Sequence, residues 1–393
     1  MAEIFHIYAS HGRDNYVELD LPASDHEMLD MMERLRLEPG KLPYVEVLKI
    51  REEYGCLDKC IHEQPDIYQL NALARKLSEF MGTQEMAAFE GLIGMEIEKR
   101  AVTTGLPTLI DYAHSTDCCV VAADAMTDFQ LGKFLVENGF IEDANGLPDS
   151  ALALLDYGKI GREHRERENG VYTSFGYVER QSEIHCVSKT MDFLPGKPPY
   201  TILVNMAALP LAGGGRKPEV IQLRLPAPEE QLRETLEKLG KPDWKDVAVS
   251  IQDCALPCLN HEMYFNGETP QILELSHRLS ELDAKGRLTR YKAILAAEDC
   301  SDLTRMISLA GMVDEYFFES RVSSPEDMAR DELKVVIGDK DAKTLMPYID
   351  LHSYGRALLE RDHATITGYG LVERENREQA MEQQPGQGGM DMM

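Results

Sequence analysis

The sequence predicts an α+β protein assembled by tandem duplication of one elongated mixed module, and three observations predict it. First, DYGKIGREHRERENGVYTSFGYVER from Asp156 and DLHSYGRALLERDHATITGYGLVER from Asp350 share ten residues over twenty-five ungapped positions, where chance gives roughly one or two. Second, the echo continues upstream in the same order: LNALARKLSEF (70–80) answers ILELSHRLSEL (272–282), and ELDLPAS (18–24) answers QLRLPAP (222–228). Third, strand-like and helix-like segments segregate within each copy instead of alternating, which favours α+β over a doubly wound sheet. A period this long is far beyond a solenoid unit, so each copy is expected to hold its own core.

The boundaries follow from the repeat. Residues 1–182 form the first module and 200–376 the second. Between them, 183–199 (EIHCVSKTMDFLPGKPP) is a linker held extended by Pro195, Pro198 and Pro199. The polar, glycine-containing tail 377–393 reads as disordered.

Each module begins with a small antiparallel sheet and a helix. FHIYAS and YVELDLP flank SHGRDN, and TILVNMA and VIQLRLP flank LPLAGGGRKPE, in the alternating pattern of hairpins. The glycines of AGGGRKP are read as a hairpin tip, since they lack phosphate-loop spacing. The helix after Ser24 sets Met28, Leu29, Met32 and Leu35 on one side, with Glu27, Asp30 and Arg34 opposite. Ser24 with Glu27 predicts a capping box. YVEVLKI and DVAVSI read as strands. The helical middle comprises 68–80, 84–100 and 128–138, matched by 271–335, and each module closes with a short strand pair near VYTSFGYVER and ATITGYGLVER.

Charge bounds the partners. The chain carries 68 acidic against 41 basic residues, a net −27. A field of that sign repels nucleic acid and anionic membranes and attracts basic protein surfaces. No segment has the length of apolar sequence that a bilayer span requires. MAEIFHIYASHGRDN lacks the pattern of an export signal, so the eight cysteines are expected to be reduced in a cytoplasm.

Motifs that carry chemistry are scarce. Cys56, Cys60 and His62 resemble a zinc ligand set, as do Cys254, Cys258 and His261. Aligning the preceding strands through Ile50 and Ile251 does not superpose them, as a duplicated metal site should. The adjacent Cys118 and Cys119 point to opposite faces of a strand. No metal and no cofactor are therefore expected, and the thiols read as structural. The most enzyme-like grouping is Asp156, Arg162 and His164, an acid, an anion clamp and a base of a hydrolase or nucleic-acid-processing enzyme. The second copy keeps Asp350 and Arg356 but has Leu358 at the histidine position. The shared residues Asp156, Gly161, Arg162, Asp350, Gly355 and Arg356 accordingly read as a structural motif.

What remains is a display of carboxylates. In the first copy these are Asp111, Asp117, Asp124, Asp128, Glu137, Glu142, Asp143, Asp149, Glu163 and Glu166, with Lys133 and Lys159 the only lysines across that span. In the second they are Asp314, Glu315, Glu319, Glu326, Asp327, Asp331 and Glu332. On a helix rising about 1.5 Å per residue, acids three or four apart approach the spacing of phosphates along one DNA strand.

These motifs resemble ArdA-type antirestriction proteins. The resemblance rests on Asp350-Leu-His-Ser-Tyr-Gly-Arg356 with its Thr/Gly strand pair, on IQDCALP (251–257), on ILELSHRLSEL and on the TILVNMA…VIQLRLP hairpin. DYGKIGR, LNALARKLSEF and the N-terminal hairpin carry it in the first copy. The resemblance implies a non-enzymatic, acidic mimic of bent duplex DNA encoded on a mobile genetic element. Such a mimic acts in the bacterial cytoplasm and occupies the DNA-binding groove of a type I restriction–modification enzyme, on its specificity and modification subunits. The chain departs from the usual single-module member by carrying two modules, which suggests an internal pseudo-dimer, with a homodimer as the other arrangement. The alternative is an acidic module that binds another basic DNA-binding protein.

Overall fold

A computed structural model describes residues 3–12, 15–38, 40–61, 63–99, 105–209, 219–259 and 264–374. The expected tail 377–393, the whole AGGGRKP tip, and His62 and His261 lie outside the described residues.

The chain divides into two compact units. The first comprises Met1–His11, Tyr16–Ala23 and Leu37–Pro195; the second comprises Gly12–Asn15, Ser24–Arg36 and Gly196–Met393. The cut falls inside the expected linker. The short N-terminal segment 24–36, however, belongs to the second unit, a feature absent from the tandem reading.

In chain order the N-terminal part runs β1 (Phe5–His11), β2 (Asn15–Leu21), α1 (Asp25–Leu35), β3 (Tyr44–Ile50), α2 (Ile67–Ser78), α3 (Thr83–Lys99) and α4 (Leu106–Ala113). It continues with β4 (Cys119–Ala122), α5 (Asp128–Glu137), α6 (Asp149–Leu152), α7 (Tyr157–Glu168), β5 (Val171–Thr173) and β6 (Gly176–Arg180). Strands β2-β1-β3 form one antiparallel sheet and β4-β6-β5 another. Alternation along β1 buries Phe5, Ile7 and Ala9. Asp66 caps α2 by accepting from the amides of Tyr68 and Gln69.

The second part follows the same plan: β7 (Ile202–Ala208), β8 (Val220–Leu225), α8 (Glu229–Leu239), β9 (Val247–Cys254), β10 (Tyr264–Asn266), α9 (Thr269–Ala284), α10 (Leu288–Ala297) and α11 (Leu303–Gly311). Then come β11 (Tyr316–Glu319), α12 (Pro325–Ile337), α13 (Asp339–Leu345), α14 (Leu351–Arg361), β12 (Ala364–Thr367) and β13 (Gly370–Arg374). Its sheets are β10-β9-β7-β8 and β11-β13-β12. One core cluster links Ile202, Val204 and Val249 through Leu275, Tyr291 and Met306 to Tyr316 and Val372.

The fold class is α+β with small antiparallel sheets, as the sequence predicts. The duplication recurs in detail. Both N-terminal sheets carry a bulge at the same place, between His6 and Ile7 and between Leu203 and Val204. Both second strands end in a cis proline, Leu21–Pro22 and Leu225–Pro226. The closing element is corrected: each expected strand pair is a three-stranded sheet, completed by β4 or β11. Four residues, CVVA or YFFE, are too few to show a period.

Helix α1 is also corrected. Its capping box forms as expected, Ser24 Oγ accepting from Glu27 N and Glu27 Oε2 from Ser24 N. Its buried face, however, is Met28, Asp30, Met31 and Leu35. Asp30 points inward because Lys292 Nζ and the Tyr369 hydroxyl meet it there, at 2.7 and 2.9 Å. The helix start is anchored by Ser24 Oγ donating to Asp253 Oδ1 (2.7 Å) and by the His26 ring on Tyr200 O (2.9 Å), while the Tyr200 hydroxyl holds Asp253 Oδ2 (2.9 Å). Burial pushes the pKa of His26 down.

Candidate partner-binding acidic surface

Four of the ten repeated positions are scaffold. Asp156 and Asp350 cap α7 and α14, accepting from Lys159 N and Ser353 N at 3.0 Å each. A Cβ on Gly161 would lie 1.9 Å from Asp128 O, and one on Gly355 1.9 Å from Pro325 O, so each glycine marks a backbone-to-backbone helix crossing. Thr173 and Thr367 close matching hairpins by donating to Gly176 O and Gly370 O. Those glycines have φ of 139° and 143° and sit against Ala122 O and Glu319 O, where no side chain fits.

The enzyme-like trio does not converge. Asp156 is the cap, and exposed Arg162 aims Nε at Asp128 Oδ2, 3.6 Å away. His164 Nε2 lies 2.7 Å from Glu179 Oε2, with its Nδ1 3.1 Å from Arg167 and its ring beside Tyr177. Its counterpart Leu358 is a core residue. Among the described residues no hydrogen bond or ion pair joins the three. Arg356 is exposed and has no ion-pair partner among the described residues.

Two predicted surface acids of the first unit are corrected. Asp111 is buried, its carboxylate taking the backbone N–H and hydroxyl of Ser188 at 2.8 and 2.9 Å. It anchors the segment 183–191 and presents nothing outward. Asp128 is clasped by Arg165 Nε (2.9 Å) and the Tyr172 hydroxyl (2.9 Å). The Arg165 hydrogen bond, reinforced by Tyr172 against the opposing effect of burial, holds its carboxyl below the usual range.

The others are more open. Asp117 pairs with His185 at 3.2 Å. Glu137 and Glu163 make loose one-turn pairs with Lys133 and Lys159 at 3.6 and 3.7 Å, contacts too exposed to hold the charges fast. Asp124, Glu142, Asp143, Asp149 and Glu166 are exposed and have no ion-pair partner among the described residues. Four acids that the sequence reading passed over join them: Glu46, Glu52, Asp58 and Glu63. Three of these, Glu46, Asp58 and Glu63, line an open concavity of about 500 Å³ beside Tyr44 and Leu48, both about half exposed. No run of acids marks them in the sequence, since Lys49, Arg51 and Lys59 are interspersed among them.

The second unit behaves differently. Six of its seven predicted acids carry a basic partner: Asp314 with Arg287 (2.5 Å), Glu319 with Arg321 (3.1 Å), Glu326 with His352 (2.9 Å), Asp327 with Arg330 (2.8 Å), Asp331 with Lys334 (2.7 Å) and Glu332 with Arg361 (3.3 Å). Only Glu315 of the seven lacks one among the described residues. Paired charges present dipoles whose field dies away well inside a Debye length of roughly 8–10 Å. Of the acids the sequence singles out, those of the second unit are thus mostly paired, while five of those in the first are open.

The C-x3-C pairs also take their places. Opposite Phe5 and Ile202 in the ladders stand Ile50 and Cys254, so Ile50 corresponds to Cys254 rather than to Ile251. The pairs still fail to superpose. Burial pushes the Cys56 and Cys254 thiols up to about 12, well away from the reactive thiolate range.

No helix among the described residues is long and apolar enough to cross a membrane. No protein-family model matches the chain, and no curated protein matches it.

Proposed function

We propose that the chain is a non-enzymatic acidic decoy whose first unit stands in for the phosphates of duplex DNA in a basic protein groove. The observation that carries this reading is the set of open carboxylates in the first unit. Nine exposed carboxylates between Glu46 and Glu166, five of them among those the sequence predicts, lack an ion-pair partner among the described residues. Unpaired surface carboxylates keep their full field and their counterion-releasing capacity, which is what a groove built for phosphate responds to. The resemblance to ArdA-type proteins names the target class: the specificity and modification subunits of a type I restriction–modification enzyme in a bacterial cytoplasm.

The test is binding of the purified chain to such an enzyme while salt and competitor duplex are titrated. Affinity falls steeply with both, and the combined variant Asp124→Asn, Glu142→Gln, Asp143→Asn, Asp149→Asn and Glu166→Gln weakens binding at least tenfold with an unchanged circular dichroism spectrum. Binding indifferent to salt and duplex overturns the reading.

One observation favours a second reading, an acidic module for another basic DNA-binding protein. Tyr44 and Leu48 flank Glu46 on exposed β3, and apolar contacts of this kind suit a protein surface better than a phosphate-binding groove. Loss of a captured partner on Tyr44→Ala with Leu48→Ala, but not on the five-fold charge variant, selects it.

A further inference from the structure

The geometry points to a zinc-type metal site in the first unit, made by Asp117, Cys118 and His185. Three chemically different donors converge there. Cys118 Sγ is 3.6 Å from His185 Nε2, His185 Nε2 is 3.2 Å from Asp117 Oδ1, and Cys118 Sγ is 3.8 Å from Asp117 Oδ1. Zinc–sulfur, zinc–nitrogen and zinc–oxygen bonds of about 2.0–2.3 Å at tetrahedral angles set ligand atoms about 3.3–3.6 Å apart. The three observed edges fall within about 0.2 Å of one face of such a tetrahedron.

The supports are in place. Asp117 and Cys118 lie on the single 3-10 turn between α4 and β4, and Cys118 is buried with its amide on Ser115 O and its carbonyl accepting from Gln181 N. His185 comes from 67 residues further on, and its backbone is fixed by donating to Ser115 Oγ at 2.8 Å. Three residues later Ser188 is bound to Asp111. The ring is thus delivered to the cysteine by two anchors independent of the side chains that would bind the ion. The Cys118 thiol also donates to Glu183 O at 3.0 Å. Metal binding removes that proton to solvent and replaces S–H with a sulfur–metal bond. A thiolate, an imidazole and a carboxylate together select zinc over magnesium or calcium, which want oxygen alone. The ion would clip residues 183–191 against α4.

Cobalt(II) titration of the full chain tests this. One equivalent binds with a thiolate-to-metal charge-transfer band that zinc abolishes. Cys118→Ser removes the band, and His185→Ala and Asp117→Asn each weaken affinity at least tenfold, while Cys186→Ser and His6→Ala leave it unchanged. His185→Ala and Asp117→Asn alter exposed groups, so they decide the matter even if Cys118→Ser fails to fold. Absence of the band, or a band kept in Cys118→Ser and lost in Cys60→Ser or Cys258→Ser, overturns the assignment.

Discussion

Lys292 Nζ stands 2.7 Å from Asp30 Oδ1 and 2.9 Å from Glu33 Oε2, with Lys292 and Asp30 both buried. Burial alone would lower the lysine's pKa; the two carboxylates outweigh it and raise it. In the first copy, Leu73 and Leu77 align with Leu275 and Leu279, and the same alignment sets Phe89 against Tyr291 and Glu90 against Lys292. Glu90 instead receives the amide and hydroxyl of Ser174.

Removing one partner of a buried ion pair leaves the other charge uncompensated, at a cost of about 3–5 kcal/mol. Lys292→Ala is therefore expected to destabilise the second unit by that amount. Trp244, the only tryptophan, packs against that unit's core, so its fluorescence in a denaturant titration reads the loss directly. Lys292→Met with Asp30→Leu should recover most of it.

Gly161→Ala is expected to fall at or above the upper end of the roughly 1–3 kcal/mol typical of overpacking, because the obstacle 1.9 Å away is the Asp128 carbonyl rather than a movable side chain. Gly355→Ala should behave alike in the second unit. Gly158→Ala, whose nearest neighbour is Asp156 Oδ1 at 3.4 Å, is the control and should be nearly neutral. Thermal melts followed by circular dichroism compare the three.

Asp128→Asn should cost about 1–3 kcal/mol, since it weakens a charge-assisted bond to Arg165. Any drop in partner binding should vanish at temperatures where the variant is fully folded. Calorimetry beside a binding assay separates the two effects.

Glu298 accepts from the Tyr316 hydroxyl at 2.5 Å and from Arg305 at 3.1 Å. The Tyr316 bond first, then Arg305, holds its carboxyl below the usual range against burial. A depressed carboxyl stabilises the fold above its unfolded pKa, about 4.3, and that contribution is lost as pH falls through the folded value. Glu298→Gln should therefore melt below the parent at pH 7, with the gap closing below about pH 4. Melting curves across that range check it.

The legible features were local ones. The α+β class, the repeat and the Ser24–Glu27 capping box each depend on residues within a turn or on similarity between copies. What escaped depends on distance in sequence. Asp30 reads as a solvent residue until Lys292, 262 positions away, is placed beside it. Asp314 and Glu332 read as free acids until Arg287 and Arg361 arrive, 27 and 29 positions away. His185 lay in a presumed linker, and only its anchoring to Ser115 brings it to Cys118.

The allegiance of residues 24–36 has a consequence for truncation. A descendant gene that discarded its opening portion would strand an ammonium group in an oily slot with nothing to fill it. The second unit thus depends on a helix encoded near the start of the chain, and no single cut separates the two units.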